Sequence, residues 1–387
     1  MRYHNPNKKN GTITTKVVCA VCFLVFSFLW LYEFQADVLA VAQFALSHGA
    51  THYDRTIGAL IITAVLFTVQ LGVFSVTRLS RRTHALTYLP SMLILTVLSD
   101  ISPDIDRHFS LGAWWWVIPL VLLTWAGTVW LAKQLMPFEN DDKQNTGLFS
   151  RRVWINLLQM AVMMLAVALV GNSNAVFHYR AHAEAALLKG DVDEALRVGY
   201  KSLETDETLT ALRVHALARK GELGERLFAY PVVGSSETIL PNRAHLQLLP
   251  ADTIWKYLGG RPLYAMMPQK YYKAMERDSL ATPVMADYRL CGHLIDRDLD
   301  AFAAALPHYY EVADSLPLPR HYREALVLYQ HMRMNPIVVY HETVTEVDWE
   351  NLRQMMDECA DDAERKLRVF DKYRDSYWYY YYYGVKE

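Results

Sequence analysis

The sequence predicts an all-α protein in two parts: a five-helix transmembrane bundle over residues 1–171, then an extracytoplasmic helical solenoid over 172–387. Two observations predict it. Five apolar stretches crowd together ahead of Asn172, and no comparable stretch follows them. Within the second part, a short helix–turn–helix pattern recurs.

The stretches are 17–32, 57–77, 85–99, 113–132 and 153–171. A helix rises about 1.5 Å per residue, so crossing ~30 Å of hydrocarbon takes roughly 20 residues. The second, fourth and fifth meet that length with uncharged centres, and in hydrocarbon only a helix satisfies its own backbone. The first is short as drawn but can continue through Phe34, with Glu33 and Asp37 at the water boundary. The third is short and contains Pro90, so a re-entrant hairpin competes with a crossing there. The basic amino end resembles the start of a signal peptide, but no small-x-small cleavage site follows, which favours an uncleaved first span.

Loop charges decide the count. The amino tail, the second-to-third loop and the fourth-to-fifth loop together carry eleven Lys and Arg; the opposite loops carry only Arg55 and Arg107. Positive residues stay inside. The pattern therefore predicts five crossings, a cytoplasmic amino terminus and a carboxyl part beyond the cytoplasmic (inner) membrane. Trp114, Trp115 and Trp116 open the fourth span at its outer end, where indoles sit well among headgroups.

From Asn172 onward the chain is ordinary soluble sequence, long enough for one domain with its own core. A net charge of −2 and the lack of a basic stripe with interleaved aromatics argue against a nucleic-acid partner. Cys19 and Cys22 form a C-x-x-C inside the first span and read as apolar fillers. Cys291 and Cys359 would lie in a compartment that permits a disulfide, but the sequence does not pair them.

The segment Ala185–Leu196 (AALLKGDVDEAL) aligns without gaps with Ala216–Leu227 (ALARKGELGERL). The first copy reads as a helix over 177–189, a turn at Gly190-Asp191 and an antiparallel helix over 192–204. Gly190 suits a left-handed helix end and Asp191 a cap; Ala183, Ala186 and Ala195 allow close approach. A degenerate third copy runs from Asp287 to Val312, a helical pair over 320–334 follows, and a long helix is expected over 347–373. The stretch 232–281, rich in Pro, reads as short helices joined by loops.

GDVDEALRVGYKSLETD resembles the second half of a tetratricopeptide repeat, with Gly190, Ala195 and Leu203 at matching places. It departs by carrying Gly199 where an aromatic is usual. Through LPRHYREALVLYQ (Leu318–Gln330) and FDKYRDSYWYYYYYG (Phe370–Gly384), the chain as a whole resembles multi-pass membrane proteins of Bacteroidetes that hold a tetratricopeptide-like region outside the membrane. The resemblance implies location and architecture, and no activity.

Chemistry is sparse. The second outer loop, SDISPDIDRHFS, groups Asp104, Asp106 and His108 as candidate ligands for a hard divalent ion. Asp104-x-Asp106 also resembles the acidic loop of membrane glycosyltransferases that use lipid-linked sugars, but no second catalytic element accompanies it. An acidic loop that only enforces topology gives the same sequence. Gln70, Asn156 and Gln159 are the polar residues of the spans, and Asn156 and Gln159 share a helical face that suits interhelical hydrogen bonds. His321, His331 and His341 recur at steps of ten, which turns a helix by about 1000° and puts them on different faces. The run Trp378–Tyr383 either closes the hydrophobic end of the helical array or meets the bilayer interface.

The expectation is a membrane-embedded, non-enzymatic adaptor without cofactor, in contact with lipid and binding a protein partner through its helical array. A transferase acting on a lipid-linked substrate through the acidic loop is the alternative.

Overall fold

The computed structural model describes residues 6–79, 81–135, 150–262, 264, 266–313 and 316–384. Every regular element among them is helical, and the chain divides into two compact units, Met1–Asn174 and Ala175–Glu387. Of the basic tail and loop residues, Arg2 and Lys143 lie outside the described residues.

In the first unit, α1 (Pro6–Leu29) continues through a π-helical turn (Trp30–Phe34) into α2 (Ala36–Leu46). Along α1 and the turn, Cys19, Phe23, Ser27 and Leu31 point inward, while Val17, Val21, Val25 and Leu29 are exposed. Spacing by four is one helix face, so one apolar segment presents one stripe to its neighbours and another outward. The Tyr32 carbonyl accepts Arg55 Nε at 2.6 Å, and Arg55 also pairs with Glu33. α3 (Arg55–Thr77) starts at Asp54, whose carboxylate accepts the Thr56 and Ile57 N–H groups as an N-cap. α4 (Leu89–Ser99), α5 (Trp114–Leu135) and α6 (Arg151–Val170) follow. Among the described residues, four helical segments are long and apolar enough to cross a membrane: Ile13–Phe34, Arg55–Thr77, Trp114–Leu135 and Arg151–Val170.

The third apolar stretch is built differently. It opens as a 3-10 helix, Arg81–Tyr88, and only then becomes α4, with Pro90 in the first turn where a missing N–H costs nothing. This composite element packs against α1, α3, α5 and α6. Its backbone is served by its neighbours: Asn156 Oδ1 accepts the Ala85 N–H at 2.7 Å, and Trp125 Nε1 donates to the Leu86 carbonyl at 2.9 Å. Gln70 Nε2 donates to Thr87 Oγ1, and Ser91 Oγ to the Leu66 carbonyl. Asn156 thus makes the interhelical bond its position predicts and Gln70 makes one as well, whereas Gln159, expected to join Asn156, has its Oε1 buried without a partner. At the far end, Ser99 Oγ accepts Trp30 Nε1, the Ser99 carbonyl accepts the Asn172 N–H, and Asp100 accepts Trp114 Nε1.

The second unit begins with α7 (Ala175–Lys189) and α8 (Val192–Arg197), then α9 (Glu207–Lys220) and α10 (Leu223–Arg226). After α11 (Ala251–Leu258) and α12 (Pro268–Arg277) come α13 (Pro283–Ile295) and α14 (Leu299–Ala305). α15 (Arg320–Met332), α16 (Thr343–Glu358), α17 (Asp362–Tyr373) and α18 (Tyr377–Tyr383) complete it. Three long-helix, tight-turn, short-helix units recur: α7–α8, α9–α10 and α13–α14. Each turn passes through the left-handed region, at Gly190, Gly221 and Arg297. Asp191 and Asp298 cap the following helix by accepting the N–H three residues on.

Three sequence expectations need correction: the pair expected over 320–334 is the single helix α15, and two helix bounds differ. The second helix of the first copy ends at Arg197, not 204, because Gly199 turns the chain at φ +61° and a Cβ there would stand 2.8 Å from the Tyr179 ring. That contact also explains why glycine replaces the usual aromatic. The long helix over 347–373 is two helices, broken at Cys359 with Asp361 capping the second.

One continuous core runs through the unit, from Ala183 to Tyr380. Its last contributor is α18, in which Tyr377, Trp378 and Tyr380 are buried. The buried Glu324 carboxylate of α15 holds this helix. It accepts Arg320 Nε at 2.8 Å, His321 Nδ1 at 2.9 Å and the Tyr377 N–H at 2.7 Å, while the Glu324 carbonyl accepts Trp378 Nε1. Burial works to raise the Glu324 pKa, but His321, Arg320 and the Tyr377 amide outweigh it and the net shift is downward. The opposite end of α18 is held by Arg297, which donates to the Tyr380 and Gly384 carbonyls.

These contacts can be tested in each unit. Asn156→Leu leaves the Ala85 N–H without its acceptor and should destabilise the first unit by about 1–2 kcal/mol in a reversible-unfolding assay in detergent. Deleting 376–387 removes three buried aromatics, each worth roughly 2 kcal/mol, and leaves Glu324 short of a donor. The second unit should then become protease-sensitive at temperatures where the full chain resists, and unchanged melting would count against α18 as part of the core.

Candidate functional site

A concavity in the second unit lies between the loop 200–205, the segment 228–233 and the pair α17–α18. Gly199 sends the chain out of α8 so that Tyr200 meets Tyr230 edge-on at 5.4 Å. Tyr230 donates its hydroxyl to the Leu196 carbonyl. Beneath them the buried Arg213 stands 5.2 Å from the Tyr230 ring and donates to Gly199 O and Thr205 Oγ1, each at 3.3 Å. Burial pulls the Arg213 pKa down to about 10, still high enough to keep its charge at neutral pH. Arg213 is therefore an internal strut for this loop.

The opposite wall is aromatic. Phe370 packs on Tyr379 at 5.6 Å, and Tyr379 on Tyr383 at 5.5 Å. Phe228 and Tyr380, 4.7 Å apart, close the floor. The cavity they enclose is about 240 Å³. A broader, more open depression of about 740 Å³ adjoins it and shares Tyr200, Lys201, Ser202 and Tyr230. Lys201 and Lys366 stand exposed at the cavity, and Arg374 pairs with Asp375 at 3.3 Å.

The residues singled out in the sequence are dispersed. Asp104, Asp106 and His108 lie on an exposed turn, where Asp104 is 3.8 Å from Arg107. Among the described residues no three His, Cys, Asp or Glu side chains gather as metal ligands. His321 binds Glu324, His331 stacks on Trp349, and His341 binds Glu346. Cys291 and Cys359 are both buried and unbonded to each other, and burial pushes the Cys291 thiol well above its ordinary range. The aromatic run of the sequence points to Tyr379 and Tyr383. Nothing comparable points to Tyr200, Lys201, Tyr230 or Lys366, because the two lysines stand in distant parts of the chain and only the fold joins them.

One buried titratable group lies away from the cleft. His215 is buried against Tyr257 at 5.5 Å with neither ring nitrogen hydrogen-bonded. Burial, aided by Arg219, lowers its pKa from 6.5 to about 4.

A family model described as a family of unknown function (DUF6057) matches residues 267–384, under a third of the chain. The match takes in both Leu318–Gln330 and Phe370–Gly384. No curated protein and no solved structure matches the chain.

His215 gives a signed pH dependence. Between about pH 4 and 6.5 the unfolded chain binds a proton there that the folded chain excludes, so this contribution is complete above 6.5 and lost on acidification. Across that window wild type should lose about 3 kcal/mol more than His215→Leu. Parallel pH profiles in denaturant titrations of the two proteins would remove His215 as the cause.

Proposed function

We propose that the chain is an integral protein of the cytoplasmic membrane that crosses five times and presents a tetratricopeptide-like helical array on the outer face, where it docks a protein partner. The carrying observation is the succession α7–α8, α9–α10, α13–α14 and α15–α16, each packed on the next and flanked by an aromatic, cation-rimmed cleft. Stacked helical pairs build extended surfaces suited to recognition. This reading rests on architecture, since a fold alone does not fix function.

The composite third element supports five crossings. Eight residues of 3-10 helix and eleven of α-helix rise about 33 Å together, close to the hydrocarbon thickness. One end lies by the close of α3, where His84 meets Phe74; the other meets the start of α5 through Asp100 and Trp114. With the basic loops inside, the second unit faces out.

Alkaline phosphatase and green fluorescent protein, fused in turn after Gly171 and after Glu387, test the topology. Active phosphatase and dark fluorescent protein at both places are expected, and the reverse would leave an even number of crossings. A photo-crosslinker at Tyr200 in living cells should then yield a stoichiometric protein adduct. Crosslinking to lipid alone, or to nothing, at well-expressed positions around the cleft would overturn the adaptor reading. Loss of function in Asp104→Ala at unchanged protein level would instead favour the transferase.

A further inference from the structure

We propose that the cleft between the 200–205 loop and α17–α18 receives an acidic segment of a protein partner, with one bulky apolar side chain seated in its cavity. This rests on the adaptor reading and names the chemistry of what is bound.

Size comes first. Small-molecule sites commonly enclose about 300–1,000 Å³. The cavity of about 240 Å³ is on the scale of one large side chain, and the open depression of about 740 Å³ that adjoins it leaves room for the chain on either side of such an anchor. The cavity walls suit such an occupant. Tyr200, Tyr230, Tyr379 and Tyr383 offer ring faces with hydroxyl rims and Phe370 a bare ring, the surface type enriched where proteins meet. Tyr200 and Leu203 are exposed beside them, so the apolar surface continues outward from the cavity.

Charge sets the sign of the partner. Cations nearby are largely neutralised: Arg226 by Glu222, Lys220 by Asp193 and Glu222, Arg197 by Glu194, and Arg374 by Asp375. Lys201 and Lys366 are the exceptions. Both are exposed, and among the described residues neither has an ion pair. The cavity lining thus holds three cations against the single carboxylate of Asp375. Two uncompensated ammonium groups beside an apolar socket match carboxylates flanking an apolar anchor.

The test uses the full chain in nanodiscs of zwitterionic phosphatidylcholine, with fluorescein-labelled peptides read by anisotropy. One peptide carries a central Leu-Trp pair between Asp/Glu flanks, a second has Lys flanks, and a third keeps the acidic flanks but replaces Leu-Trp with Gly-Gly. Saturable binding of the first alone is expected, weakened about tenfold or more by K201E/K366E and less by K201Q/K366Q. Both lysines are exposed, so melting of these variants should match wild type. Tyr383→Ala reads the socket separately and should weaken the first peptide without making the second bind. No binding, equal binding of acidic and basic peptides, or indifference to the lysine substitutions would overturn the proposal. Tighter binding of anionic-lipid vesicles than of the peptide, abolished by K201E/K366E, would also overturn it in favour of a headgroup site. The purified assay does not require a cellular partner. A crosslinked partner that K201E/K366E fails to release would sink this inference and leave the adaptor standing. Acidic-peptide binding without any cellular adduct would do the opposite.

Discussion

A backbone that leaves the α-helical ladder inside an apolar bundle must find partners for the groups it frees, and residues 81–88 are where this chain meets that constraint. A 3-10 turn is tighter and its bonds are poorer, so it survives among apolar neighbours only where side chains reach in. Asn156, Trp125 and Gln70 do so from three different helices. These three polar side chains therefore serve the irregular element, while Gln159 Oε1 stays buried without a partner. The arrangement also places the weakest helix of the unit where four others can pack on it. Irregular backbone in a membrane protein is tolerated when it is buried in protein, and this element satisfies that condition through named bonds.

The second unit solves a different problem. Its short partner helices, six, four and seven residues long, are too brief to form a stable stack through propensity alone. Stability has to come from packing, and the core supplies it with tyrosine. Tyr271, Tyr272, Tyr288 and Tyr322 are fully buried alongside Tyr377. Several hydroxyls find internal acceptors: Tyr310 and Tyr322 share Asp287, and Tyr380 donates to the Ile295 carbonyl. Aromatic mass lets these rings fill space between helices too short to interlock by aliphatic ridges, at the cost of leaving the Tyr272, Tyr288 and Tyr377 hydroxyls buried without a partner.

Much of this was legible in the chain because it is local. Hydropathy located the four long membrane helices, and the Gly-Asp turn with its alanines located the first helical pair. The third copy was recognisable although Arg297 stands where the others carry glycine. What escaped was the non-local part. Nothing in RRTHALTY announces a 3-10 helix, since its partners come from residues as far away as Asn156, 71 positions along the chain. The break at Cys359 was hidden within a run of good helix formers. The cleft is assembled from segments at opposite ends of the unit, so no window of sequence contains it. Leu318–Gln330 and Phe370–Gly384, both within the matched residues 267–384, are clasped together through Glu324, Tyr377 and Trp378.

That clasp has a bearing on how the protein is made. Synthesis runs from the amino end, so α15 emerges with Glu324 facing an unfinished core, and the residues that complete its bonding follow only after α16 and α17. Until Tyr377 and Trp378 arrive, a carboxylate destined for burial lacks part of its hydrogen-bond set, and burying it then is costly. A domain closed on a partial chain is therefore less stable than the complete one, and a product terminated before α18 is more open to the proteases that clear unfinished protein.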